Sequence, residues 1–144
     1  MFSKSCEYGI RASIYVAKHS LKHRKVSLKE VAEHTDAPPA FMAKILQKLT
    51  RTEILSSFKG PTGGFFVPLE MIDKVSLYDI VLTMDGAGLF EDCTLGLRKC
   101  DGQKPCPMHF KFSKIRDEMK TDLKATTLKF LAEQVSDGVT FLKR

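Results

Sequence analysis

Three of the four cysteines in this 144-residue chain fall in one short stretch. Cys93 and Cys100 have six residues between them, Cys100 and Cys106 have five, and His109 stands three places beyond Cys106. The intervening residues include Gly96, Asp101, Gly102, Lys104 and Pro105, so the backbone can turn sharply and let several sulfurs converge. Thiolates so spaced can wrap one inorganic centre. Structural zinc favours Cys-x2–4-Cys pairs, and this stretch has none. Three cysteines and a fourth ligand of another type, histidine included, also suit an iron–sulfur cluster. Disulfide chemistry is the redox alternative, although a reducing compartment disfavours a structural bridge. On residue chemistry alone, cluster, zinc and unliganded or redox-active thiols all stand open. His109 has a plainer role available, as a polar residue opening a helix. Cys6, remote in sequence, is expected to be a small buried side chain.

The rest of the chain must position that stretch. A composition of 43% hydrophobic and 28% charged residues is that of one compact domain, or a domain with an extension. No apolar run approaches the roughly 18 residues of a spanning helix, and the first residues do not form a signal-peptide core. A cytoplasmic protein without membrane contact is expected. Enzyme function is not: there is no Cys-x-x-Cys pair, no dinucleotide fingerprint and no paired catalytic acid and base. The net charge of +6 is unevenly spread. Residues 1–75 carry 12 Lys and Arg against 7 Asp and Glu, whereas residues 76–144 carry 11 against 10. The basic front half and near-neutral back half suggest separate tasks.

Apolar residues from Tyr8 to Leu21 give a broad helical face over about 6–21. Ser27-Leu28-Lys29-Glu30 has the form of a capping box and starts a short helix ending near Thr35. Asp36-Ala37-Pro38-Pro39 turns into a third helix, about Pro39 to Arg51, because proline suits a first helical turn. Met42, Ile45, Leu46 and Leu49 form its buried side, and Lys44, Gln47, Lys48 and Arg51 its exposed side. Two helices around a tight turn, the second basic, match a helix-turn-helix whose second helix enters the major groove. A strand over 54–58, a tip from Lys59 to Gly64 and a returning strand over 65–67 follow. That is the order of a winged helix, with Lys59, Gly60, Thr62 and Gly63 at the wing tip facing DNA. The tip is no phosphate-cradling nucleotide loop, since it lies between strands. After His109, the spacing of Phe112, Ile115, Met119, Leu123, Thr126, Phe130 and Leu131 predicts a helix of about 25 residues, roughly 37 Å long. Its apolar stripe suits packing against a second copy. Gly138 and residues 139–144 are expected to be loose or strand-like. The expected fold is therefore mainly α with a small β-hairpin. Residues 1–75 would form a winged-helix DNA-binding domain, and residues 76–144 the cysteine loop and a dimerisation helix.

The chain resembles the IscR/NsrR (Rrf-two) family of bacterial winged-helix regulators. The likeness lies in Cys6-Glu7-Tyr8-Gly9-Ile10-Arg11-Ala12, in Ser27-Leu28-Lys29-Glu30-Val31-Ala32, and in Lys59-Gly60-Pro61-Thr62-Gly63-Gly64-Phe65. It continues through Val75-Ser76-Leu77-Tyr78-Asp79-Ile80-Val81, Asp85-Gly86, the cysteine stretch and Thr126-Thr127-Leu128. Two departures stand in the DNA-facing parts: Lys59 replaces the usual wing arginine and Thr62 a glycine, so the arginine's bidentate fork is missing. Ala43 stands where some members carry an acidic base-reading residue. The resemblance implies a homodimeric repressor on a double-stranded DNA operator. Its affinity would be controlled by a cluster held by Cys93, Cys100 and Cys106, [2Fe–2S] before [4Fe–4S]. His109 matches the fourth ligand of IscR-like members, and Glu7 matches the acidic ligand that NsrR-like members supply from the partner's first helix. Nitric oxide, redox state and cluster supply are the implied signals. A cluster-free regulator of the same fold, working through thiol redox or zinc, is the alternative.

Overall fold

Ser3 starts the first helix, its hydroxyl accepting a hydrogen bond from the Cys6 N–H at 3.1 Å. In the computed structural model, which describes residues 1–143, this helix is α1 (Lys4–Ser20). It is followed by α2 (Leu28–Thr35), α3 (Pro39–Arg51), β1 (Ser56–Phe58), β2 (Gly64–Phe66), α4 (Leu77–Asp85), α5 (Gly88–Glu91), α6 (His109–Ala125) and α7 (Leu128–Ser136). The fold is a winged helix-turn-helix with added C-terminal helices, mainly α with one two-stranded hairpin. Among the described residues no helix is long and apolar enough to cross a membrane.

α1 is the central strut. Cys6, Ala12, Val16 and Ala17 are fully buried on it, and α2, α3, α4 and α7 pack around it. Gly9 lets α4 come close, because a Cβ there would meet Met84 Cγ at 3.0 Å. α3 buries the four residues expected, Met42, Ile45, Leu46 and Leu49. Ile80 of α4 and Leu128 and Ala132 of α7 complete the same core.

Ser27 caps α2 by accepting from the Glu30 N–H at 3.1 Å, but the expected reciprocal half of the box is missing. The Glu30 carboxylate instead grips both Arg24 nitrogens, at 3.0 and 2.8 Å, and accepts from the Tyr15 hydroxyl at 3.1 Å. A charged partner outcompetes a backbone amide for the same oxygens. The complete box is at α4, where Ser76 N–H donates to Asp79 at 2.8 Å and Asp79 N–H to Ser76 at 3.2 Å.

The C-terminal helix is shorter than its apolar stripe suggests. α6 spans 17 residues and stops at Ala125, and the stripe continues on a separate helix. Thr126 and Thr127 cause the break. The Thr126 carbonyl accepts from Leu77 N–H at 2.9 Å, Thr127 bridges Ser76, and the Thr127 hydroxyl caps α7. The chain thereby turns back, and α7 packs on α1. Beyond Gly138 the described residues form no regular element, and Lys143 reaches Asp36 at 3.4 Å; Arg144, part of the expected loose end, lies outside the described residues.

Candidate DNA interface and cysteine loop

Lys44, Gln47, Lys48 and Arg51 all lie on the exposed face of α3, opposite its buried stripe. Lys48 is partly engaged, its ammonium 3.4 Å from the Met84 carbonyl in the last turn of α4. A cation there suits the negative end of that helix. Lys44 and Arg51 have no acidic partner among the described residues.

The wing is a short antiparallel ladder with Ser57 opposite Phe65 and Phe58 opposite Gly64. It is fastened to the body where Val26 and Phe65 exchange backbone hydrogen bonds of 3.0 and 2.7 Å. Its tip holds Lys59, Gly60 and Thr62 exposed, with Gly63 half-buried. Gly63 is obligatory: a Cβ there would lie 1.9 Å from the Phe58 carbonyl oxygen. Its N–H donates to the Gly60 carbonyl at 2.9 Å, closing the turn.

The cysteine loop joins α5 to α6, and its donors form two pairs. Cys100 Sγ lies 3.3 Å from His109 Nδ1 in the first turn of α6. Cys93, buried, has Cys106 as its thiol neighbour. The backbone N–H groups of Leu97 and Leu95 hold the Cys93 thiol below its ordinary range, and the Cys106 thiol and the Arg116 cation push the same way. Arg116, two helical turns beyond His109, ties the loop to α6. It donates to Cys100 Sγ at 2.9 Å and to the Asp92 carbonyl. His109 thus both opens α6 and faces a thiol.

Among the described residues no three His, Cys, Asp or Glu side chains converge as a single metal ion would require. Glu7 stands apart from the loop, paired with Lys4 at 3.0 Å in the first turn of α1. Cys6 is buried as expected; burial first, then the Asp85 charge, pushes its thiol up to about 12, so it is inert.

Sequence reasoning missed Arg116, although its i+7 spacing from His109 was available. His19 and His34, with no partner pattern in the sequence, are expected at the surface. Both are half-buried instead, flanking Tyr15 at ring-centroid distances of 4.6 and 4.1 Å.

Comparison with known proteins settles the family. The family model of Rrf2, described as iron-dependent transcriptional regulators, matches residues 2–134. The chain belongs to the Rrf2 family. An HTH-type transcriptional regulator of Aquifex aeolicus is 32% identical over 133 residues, covering 91% of this chain and 90% of that protein. CymR, the global cysteine regulator of B. subtilis, superposes with a TM-score of 0.73 at 24% identity, over 92% of this chain and 96% of that one. IscR of T. potens gives 0.73 at 16% identity, over 97% and 91%. At such identities the two structures establish a shared fold. This Rrf2 chain is accordingly a DNA-binding transcriptional regulator and not an enzyme, with α2 and α3 as its helix-turn-helix.

Proposed function

We propose that this regulator is a cytoplasmic homodimeric repressor whose operator affinity is set by an iron–sulfur cluster at the loop between α5 and α6. The observation that carries the reading is Cys100 Sγ at 3.3 Å from His109 Nδ1, on a loop that also holds Cys93 and Cys106. The donor set of three thiols and an imidazole fits a cluster in kind. That no three such side chains converge among the described residues fits [2Fe–2S] better than a lone zinc ion, because each iron of such a centre takes two protein ligands while zinc needs all its donors at one point. Glu7 of a partner chain is the competing fourth ligand. When bound, the cluster supplies redox chemistry and reactivity toward nitric oxide and oxygen species.

The chain's own residues carry the consequence. Arg116 fastens the loop to α6, so a change in how Cys100 is held is felt by that helix. α6 has no fully buried residue and leaves Phe110 and Ile115 exposed at 72% and 55%, which favours pairing with a second copy. Two copies would offer two α3 helices to half-sites about one DNA turn apart, with Lys44, Gln47, Lys48 and Arg51 in the groove. Lys59, Gly60, Thr62 and Gly63 would follow the flanking backbone. By linkage, the cluster-loaded and empty dimers must differ in operator affinity by whatever factor the operator shifts cluster binding.

Anaerobic purification with iron, sulfide and zinc assays and a visible spectrum tests the cluster. Wild type should hold iron and acid-labile sulfide, and Cys93→Ala should lose both. Loss in His109→Ala assigns the fourth ligand to His109, whereas retention there with loss in Glu7→Gln assigns it to Glu7. One zinc per chain without sulfide would overturn the reading. A thiol-redox regulator is the second possibility, favoured by the acidified Cys93 beside Cys106 and by the likeness to a cysteine regulator. It predicts a reversible Cys93–Cys106 disulfide and no sulfide.

A further inference from the structure

Away from the cysteine loop, a cleft with a volume of about 700 Å³ opens at the root of the wing. The register of the hairpin creates it. Ser56 opposite Phe66 and Phe58 opposite Gly64 put both phenyl rings on one face of the sheet, because side chains alternate along a strand. The other face carries Phe65, which packs against the core. The first face has no such cover, and Phe58 is 58% exposed. Leu69, 45% exposed, adds an apolar wall, and buried Val67 forms part of the floor, its N–H held by the Ser20 hydroxyl at 2.9 Å.

The opposite wall is cationic. His23, Arg24 and Lys25 line it, in the turn that leaves α1. Arg24 is neutralised by Glu30 at 2.8 Å, but Lys25 and His23 have no acidic partner among the described residues. The Lys25 ammonium lies 5.6 Å from the Phe58 ring centre and 5.5 Å from that of Phe66. A cation is thus held over two aromatic rings in a cleft of the size that small molecules occupy. Glu70, the one acid among the lining residues, makes no ion pair with Lys25, so that ammonium is left to meet an anion.

We infer that this cleft binds a small organic anion with a flat apolar body, such as an aromatic carboxylate or sulfonate, its ring between Phe58, Phe66 and Leu69 and its charge at Lys25. An occupant would touch both the turn after α1 and the strands of the wing. It would therefore couple to operator affinity through the wing, independently of the cysteine loop, and operator binding would shift the anion's affinity by the same factor.

The test uses the full-length chain and two dyes: 8-anilinonaphthalene-1-sulfonate and its uncharged analogue N-phenyl-1-naphthylamine. The sulfonate should bind saturably at one per chain. Lys25→Glu should weaken it tenfold or more while changing the uncharged dye less than threefold, and Phe58→Ser should weaken both. Both substitutions are at exposed positions, and unchanged melting curves establish that the variants fold. Binding of the sulfonate with equal affinity to wild type and both variants would overturn the assignment and place the dye elsewhere, on α6 for instance. Absence of saturable binding, or equal weakening of the two dyes by Lys25→Glu, would overturn it too. Running the series on a Cys93→Ala background separates this outcome from the fate of the cluster.

Discussion

Single side chains decide the chemistry that the fold can host. Cys6 and Cys93 are the same residue in opposite settings: one thiol is pushed up to about 12 by burial and Asp85, the other is drawn down by the Leu97 and Leu95 N–H groups. At pH 8 the Cys6 thiolate is roughly a thousand times scarcer than for an ordinary thiol. Iodoacetamide mapping of the native metal-free protein should leave Cys6 unmodified after the loop cysteines have reacted, and denaturant should abolish the difference. A second consequence concerns acid. Burial holds His19 and His34 below the ordinary imidazole value, with the Arg24 and Lys143 charges adding respectively. The unfolded chain therefore binds more protons as pH falls through about 6.5, and stability declines in that window. Glu30, held low by Arg24, adds its own loss only further down, through the carboxylate range. Melting temperature should drop by about 2–5 °C between pH 7.5 and 5.5, and the double change His19→Gln with His34→Gln should flatten that slope.

At the scale of elements, α7 and the wing tip make separable contributions. Leu128 is fully buried against α1, so Leu128→Ala should cost about 2–5 kcal/mol of unfolding free energy, measured by denaturant titration. Gly63→Ala should do the reverse of that pattern. It forces a methyl group onto the Phe58 carbonyl and distorts the tip, so operator affinity should fall at least tenfold while global stability changes little. The elements also show where sequence was sufficient. α3 was legible to the residue because one helix face carries all its apolar groups and prolines mark its start. α4 was not anticipated, although Ser76 and Asp79 ahead of an apolar run announce a helix start. The break at Thr126–Thr127 was hidden because the apolar spacing runs straight through it, and only the contact with Leu77 and Ser76 reveals the turn. In the loop, the cysteines and His109 were legible from their types, but the pairing and the role of Arg116 depend on the fold closing around them.

For the whole molecule, α6 leaves Ile115 of its apolar stripe exposed, with Phe110 also uncovered, while Met119 and Leu123 further along the stripe pack on the core. Ile115→Glu places a charge in that stripe at a residue making no core contact, so the monomer should stay folded. Sedimentation should report a monomer, and operator affinity should fall by a hundredfold or more once the two half-sites are no longer read together. Circular dichroism melts matching wild type would confirm that only assembly was lost.

The return of α7 to α1 has an implication for what the regulator can say. The core is closed on both sides of the cysteine loop, by α4 before it and α7 after it, so the loop hangs from a body that stands without it. Small zinc domains fold only around their metal, and emptying them destroys the message along with the messenger. If the loop holds a cluster as proposed, the protein without it would keep the core that carries α3 and would still be a folded reader of operators. Its silence and its signal would then be two states of one intact molecule, and a cell could act on either.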